Sequence, residues 1–351
     1  MKKVSFFTPS LNIGGIERVF MTYANSLIRK FNIEYVVCYE EGDLKQFLNK
    51  KVNCVILNSR LPYSLFKLVR YILNNHPDYI ITGGDIPNAI VLIANKLAGS
   101  KTRIIISQHN YLNIEQINYL SKFIYRFIYK FAYKIIAVSD DVAKFIEKYK
   151  IEKEKIVVIY NPIDIKLIYT LSKNQKDILS FSDYILYVGR LSEVKNLNFL
   201  IQSFYVLKKF RTNLRLIIVG DGPVKNSLES LTLTLGLKES VFFTGIVPDP
   251  YFLIKNSLFV VLPSFSEAFP TIILESFCLG KTVVATPTRG ALALIKKGEY
   301  GFLSDSFDDI QEFSDLMALA LSSNINVEAL KNYSKNFDIT RKVGMVEDIL
   351  T

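Results

Sequence analysis

The sequence predicts an α/β protein built as two doubly wound parallel-sheet domains. Short β-rich runs alternate with helix-like stretches through both halves of the chain, the pattern of a parallel sheet covered on both faces. The 351 residues exceed what one core fills, since single cores stop growing near about 250–300 residues. Each strand-like run of the second half ends on a glycine, proline or polar loop before the next helical stretch.

In the first half, residues 4–7, 35–38, 52–57, 79–82, 103–107 and 135–139 read as strands, being rich in β-branched and aromatic residues. Residues 17–30, 63–73 and 88–97 read as helices between them. In the second half, 184–188, 215–219, 241–244, 258–262 and 282–285 read as strands. Asn161-Pro162 breaks the preceding extended run, and polar 172–176 suits a linker. The join is therefore expected within 160–182, giving Rossmann-like domains at 1–170 and 171–337. The tail, 329–351, is helix-like again.

Charge is unevenly placed. Of 43 Lys and Arg against 33 Asp and Glu, residues 1–170 hold 24 and 14, and residues 171–351 hold 19 and 19. The whole net charge of +10 lies in the first half, which points to an anionic partner. Three cysteines, Cys38, Cys54 and Cys278, form no Cys-x-x-Cys pair, and a reducing, cytoplasmic setting is expected. No apolar run reaches the roughly 18 residues of a membrane span. The apolar run at the start stops at Thr8-Pro9 and reads as a first strand rather than a signal peptide.

In open parallel sheets, ligands bind beyond the carboxyl ends of the strands. Gly189, Gly220, Gly245 and Pro263 directly follow second-half strands and should line one rim. In Gly189-Arg190-Leu191-Ser192-Glu193-Val194-Lys195-Asn196, two cations stand five residues apart. Arg offers a planar fork to phosphate oxygens and Lys a mobile point charge. Downstream, Glu267 precedes a Phe-Pro turn and Glu275 follows an apolar run. Backbone N–H groups of Ala268, Phe269 and Thr271 at a helix start suit phosphate or sugar oxygens; Pro270 cannot donate. Taken singly, each charge has a plain reading as a surface residue or a helix-start carboxylate. In the first half, Gly14-Gly15 precedes a helix and permits close backbone approach, and His109 stands at the carboxyl end of a strand.

These motifs, in this order, resemble a retaining glycosyltransferase of the GT-B fold, family 4. The match is carried by Gly14-Gly15, GRLSEVKN at 189–196, Gly220-Asp221-Gly222-Pro223, Pro263-Ser264, and two glutamates separated by seven residues. The resemblance spans nearly the whole chain. It implies two Rossmann-like domains facing across a cleft, with a last helix (about 338–351) crossing back to the first. Arg190 and Lys195 would hold the diphosphate of a nucleotide-sugar, UDP-sugar before GDP-sugar. Glu275 would take the ribose hydroxyls, and Glu267 and His109 would face the transferred sugar. Gly14-Gly15 would lie near diphosphate and acceptor. The acceptor would be a glycan or lipid-linked glycan in polysaccharide synthesis. One position departs from the pattern: Ala293 stands where relatives often carry Glu.

No cluster of His, Asp or Glu has metal-ligand spacing, so no metal cofactor is expected. Asp140-Asp141 reads as a cap of the helix that follows. Phosphate-type cations accompany the paired carboxylates, which disfavours a glycosidase. A nucleotide-sugar epimerase of the same plan and a non-catalytic basic binder of membrane or nucleic acid stand as alternatives; nucleic acid is not the expected partner. Finally, Lys122, Arg126, Lys130 and Lys134 recur every fourth residue, beside Phe123, Phe127 and Phe131 and beside Tyr125, Tyr129 and Tyr133. Such stripes fit an interfacial helix at the inner face of a membrane, or a core helix with solvated lysines.

Overall fold

The computed structural model describes residues 1–40, 42–109, 119–174, 183–296 and 298–351; the end of the expected linker, 175–176, and the rest of the expected join to 182 lie outside them. The chain forms two units, Met1–Pro162 with Ile339–Thr351, and Ile163–Asp338.

The first unit holds β1 (Lys3–Ser10), α1 (Gly15–Leu27), β2 (Asn32–Glu40), β3 (Asn53–Ile56), α2 (Leu65–Asn75), β4 (Tyr79–Gly83), α3 (Asp85–Leu97), β5 (Arg103–Gln108), α4 (Tyr119–Phe123), β6 (Lys134–Ala137), α5 (Asp140–Glu147) and β7 (Ile156–Val158). The sheet order is β3-β2-β1-β4-β5-β6-β7 and every pairing is parallel. Both faces are covered, so the central strands are nearly all apolar: β4, Tyr-Ile-Ile-Thr-Gly, is buried at every position. The order reverses at β1, so right-handed crossovers put α1 on one face and α2, α3 and α4 on the other. Accordingly α2 packs against α3, and α3 against residues 124–131.

The second unit holds α6 (Ile165–Leu171), β8 (Tyr184–Val188), α7 (Leu197–Lys208), β9 (Arg215–Val219), α8 (Lys225–Thr234), β10 (Val241–Gly245), α9 (Tyr251–Asn256), β11 (Val260–Leu262), α10 (Thr271–Cys278), β12 (Val283–Ala285), α11 (Arg289–Leu294), β13 (Gly301–Leu303), α12 (Ile310–Ser322) and α13 (Val327–Ser334). Its sheet, β10-β9-β8-β11-β12-β13, is parallel as well. One of its apolar layers packs Leu200 and Phe204 of α7 against Ile218, Phe313 and Met317. α14 (Ile339–Leu350) then returns to the first unit and packs on α1, with Val346 and Leu350 fully buried. Lys30 pairs with Glu347 at 2.5 Å, and Lys2 Nζ donates to the carbonyls of Leu350 and Thr351.

The boundary falls at Pro162/Ile163 instead of 170/171. α6 packs on α9 and α10, and the Tyr169 hydroxyl donates to the Cys278 carbonyl at 2.8 Å. These bonds assign 163–170 to the second unit. Two edge strands, β7 and β13, have no counterpart among the strands expected from sequence: β7 is three half-buried residues, and β13 opens on Gly301 with two apolar residues after it.

Candidate functional site

The site on the second unit begins as backbone. Strands β8 and β9 end side by side, and Gly189 N donates to Val219 O at 3.0 Å while Gly220 N donates to Gly245 O at 2.8 Å. Gly220 has φ of +136°, and a Cβ there would lie 1.9 Å from Gly189 O. A Cβ on Gly222 would lie 2.1 Å from Leu191 O. Only glycine fits either place. The two loops then braid: Leu191 N bonds Asp221 O, and Val224 N bonds Leu191 O. Beneath them the Tyr187 hydroxyl donates to Arg190 O at 3.1 Å. Burial, with the nearby Glu267 carboxylate, pushes the Tyr187 phenol well above its usual range, so it stays a neutral donor. Gly189, Arg190, Gly220, Gly245 and Pro263 thus share one carboxyl edge of one sheet.

The acidic segment is tied to the same edge. Phe265 N donates to Val194 O at 2.8 Å. Lys195 Nζ lies 2.5 Å from Glu267 Oε1, and Ser264 Oγ donates to that oxygen at 2.8 Å. Thr286 Oγ1 donates to Ser264 O. Arg190 is exposed on this loop. Pro270 is the N-cap of α10, so Ala268, Phe269 and Thr271 bracket a helix start, and buried Phe269 packs on Phe337 with ring centroids 5.6 Å apart. Glu275 is buried within α10. The structure therefore joins Lys195 to Glu267 directly, and sets Glu275 one to two helical turns along from the α10 N-terminus.

Sequence reasoning missed Ser264 as a partner of Glu267, and Gly290. Gly290 N donates to Glu267 O at 2.9 Å, and a Cβ at 290 would meet Pro270 Cδ at 2.6 Å. The start of α11, capped by Thr288, is thereby pressed onto the Glu267–Pro270 backbone. Ala293 is exposed on the same helix.

On the first unit, Gly14 caps α1, and a Cβ there would strike the Glu17 carboxylate at 2.2 Å, whereas one on Gly15 meets nothing. Burial raises the Glu17 carboxyl to about 7, its own backbone N–H opposing. His109 follows β5; its Nε2 shares a 2.8 Å hydrogen bond with Ser107 Oγ, and Phe20 meets its ring edge-on. Burial lowers its imidazole to about 3, so the ring is neutral near pH 7. Its neighbour Asn110 lies outside the described residues. Ser139, not the aspartates, caps α5, accepting from Val142 N at 3.3 Å; Asp140 and Asp141 occupy the first turn, where the helix dipole favours them.

The striped segment is not one α-helix. α4 passes into a π-helical turn, Ile124–Ile128, and a 3-10 turn, Tyr129–Phe131. Tyr125 and Tyr129 are buried, while Phe123, Phe127 and Phe131 are 52%, 44% and 45% exposed beside exposed Lys122, Arg126 and Lys130. Lys134 and Tyr133 leave the pattern because the helix ends at Phe131: Lys134 opens β6 and donates to Glu154 O at 2.6 Å, and Tyr133 meets the Arg103 guanidinium. The buried tyrosines are anchored: Tyr125 donates to Asp85 Oδ2 and Tyr129 to Gln108 Oε1, both at 2.8 Å. Among the described residues, no helix is long and apolar enough to cross a membrane, and no three His, Cys, Asp or Glu side chains group as metal ligands.

Residues 13–167 match the model of Glycosyltransferase Family 4 and residues 170–337 that of Glycosyl transferases group 1. The chain is 28% identical over 370 residues to a Campylobacter jejuni protein named N-acetylgalactosamine-N,N'-diacetylbacillosaminyl-diphospho-undecaprenol 4-alpha-N-acetylgalactosaminyltransferase, covering 100% of this chain and 99% of that one. It is 27% identical to a second protein of that organism, named GalNAc-alpha-(1->4)-GalNAc-alpha-(1->3)-diNAcBac-PP-undecaprenol alpha-1,4-N-acetyl-D-galactosaminyltransferase, covering 97% and 96%. Among solved structures, Anabaena HepE in complex with UDP and glucose superposes with a TM-score of 0.85 at 22% identity, covering 100% and 99%.

The first unit's stability should depend on pH through Glu17. Its folded carboxyl titrates near 7 against an ordinary 4.5, so the folded state holds the proton longer. That contribution is complete below about pH 4.5 and is lost as pH rises through about 7. Glu17→Gln should flatten this loss, read as the urea midpoint of unfolding at about pH 5 and about pH 7.5. An unchanged slope in the variant would show that Glu17 is not the group responsible.

Proposed function

The chain belongs to glycosyltransferase family 4, and from that premise we propose that it moves a sugar from a UDP-sugar to a lipid-linked glycan in cell-surface polysaccharide synthesis, with retention of anomeric configuration. The observation that carries this reading is the Lys195–Glu267 pair at the carboxyl rim of β8 and β11, with Arg190 on the same loop. Arg190 and Lys195 hold the diphosphate. As the bond to the sugar breaks, negative charge grows on the leaving phosphate, and these cations stabilise the transition state more than the ground state. Glu267 spans two jobs: it holds the Lys195 ammonium in place and faces the hydroxyls of the transferred sugar. Glu275 accepts the ribose hydroxyls, as carboxylates do in dinucleotide sites. His109, neutral near pH 7, is available as a hydrogen-bonding group and not as a cation.

The acceptor follows from the relatives. Both Campylobacter proteins are named for transfer to undecaprenol-linked glycans, and a lipid carrier keeps such a glycan at a membrane surface. The enzyme accordingly works in the cytoplasm as a peripheral protein at the inner face of the membrane. Two fixed cations serve at the leaving group, and the reading assigns no metal.

Three outcomes test this. Arg190→Ala and Lys195→Ala should each lower turnover by one to several powers of ten, about 2–4 kcal/mol of transition-state stabilisation, with the circular dichroism of the folded protein unchanged; near-normal turnover in both would remove the diphosphate assignment. By calorimetry, Glu275→Ala should weaken UDP and UDP-sugar alike, whereas Glu267→Ala should weaken UDP-sugar more than UDP; equal loss of UDP affinity in both variants would refute the division of roles. Transfer should continue in chelator, and complete loss restored by manganese or magnesium would overturn the metal-free reading.

A further inference from the structure

We infer that the first unit docks on an anionic bilayer through a face of three neighbouring helical segments, α2, α3 and 119–131, not through the striped segment alone. The inference rests on the lipid-linked acceptor reading and extends it to a defined surface.

Right-handed crossovers place these segments side by side on one face of the sheet, and α2 packs on α3, which packs on 124–131. Their outer sides share a composition. On α2, Phe66 is 77% exposed and Leu73 also reaches solvent; on α3, Ile93 and Leu97 do so; in the third segment Phe123, Phe127 and Phe131 line up outward. Six cations stand among them: exposed Lys67 and Arg70, Lys96, and Lys122, Arg126 and Lys130. Residues 65–75, 86–97 and 119–131 contain no Asp or Glu. The one acid in these helices, Asp85, is turned to Gln108 and Tyr125. A freely solvated helical surface mixes both signs of charge; one with cations and outward phenyl and aliphatic groups matches an interface of anionic headgroups over acyl chains.

The cations are spread among the aromatics. Lys96 Nζ lies 4.1 Å from the Phe131 ring centroid, joining α3 to the third segment, and Lys130 lies near both Phe127 and Phe131. Meanwhile Tyr125 and Tyr129 are hydrogen-bonded inward, so the segment cannot roll its phenylalanines into the core without breaking those bonds. Nucleic acid suits the face less well, since its outward apolar groups offer no hydrogen bonds to base edges.

The chain contains no tryptophan, so one introduced indole reports one place. Phe66→Trp, Ile93→Trp and Phe127→Trp should each shift to shorter emission wavelength with vesicles of phosphatidylglycerol and phosphatidylcholine, and be quenched by brominated acyl chains. Phe210→Trp, 79% exposed on the second unit, should do neither. Rising salt should reverse the shifts. The combined Lys67→Gln, Arg70→Gln, Lys96→Gln variant should lose about a hundredfold in vesicle affinity. A shift at 127 with none at 66 and 93 would overturn the three-helix face, as would no shift anywhere, equal binding to neutral vesicles, or the same shifts with single-stranded RNA in place of lipid. Hydrolysis of UDP-sugars without vesicles is measured in parallel. Vesicle binding without any donor turnover supports the face and sinks the catalytic reading instead.

Discussion

The candidate site depends on one contact between backbones: the carbonyl of Gly189 occupies the place where any side chain at 220 would begin. Because β8 and β9 end in this contact, the loops that follow them can exchange peptide hydrogen bonds, Leu191 with Asp221 and Val224 with Leu191. The loop carrying Arg190 and Lys195 is therefore held by its main chain. Its side chains need not hold the loop in place, which is how a site on a loop keeps the precision of a strand. Val194 O then fastens Phe265, and through it the segment bearing Glu267. The position of a cation is traced, step by step, to the absence of a methyl group.

The Lys195–Glu267 pair carries a tension of its own. Both side chains are largely shielded, 23% and 14% exposed, and half-buried partners cost desolvation that their attraction only partly offsets. A pair kept under those conditions, with Ser264 bonded to the same carboxylate oxygen, holds two charges in fixed register. A ligand that brings its own negative charge to Lys195 finds the ammonium already desolvated and aimed.

Much of this was legible in the sequence because two-sided burial writes itself as continuous apolar runs. The central strands, from Val4 to Val284, announce themselves this way, and the glycines at their ends mark the rim. What was not legible has physical causes. β7 and β13 are three-residue edges; β7 is only half-buried, and β13, although buried, opens on Gly301 and offers two apolar residues. Asn161-Pro162 marks the crossing into the second unit, but nothing in 163–170 says that Tyr169 will seek the Cys278 carbonyl. Counting in fours carried Lys134 into a stripe that a π turn and a 3-10 turn bring to an end at Phe131. Gly290 was passed over because its constraint is the backbone at Glu267, far off in sequence.

The chain's route has a consequence for its birth. The second unit enters and leaves at one spot, where Ile163 N bonds Phe337 O and Ile163 bridges Asp338. It is an insertion in the first unit, whose apolar surface on α1 awaits α14. Since synthesis runs from the N-terminus and domains fold as units, the second unit has all its residues before the first has its last helix. The emerging protein passes through a stage in which its second unit can close while the surface meant for Val346 and Leu350 still faces water.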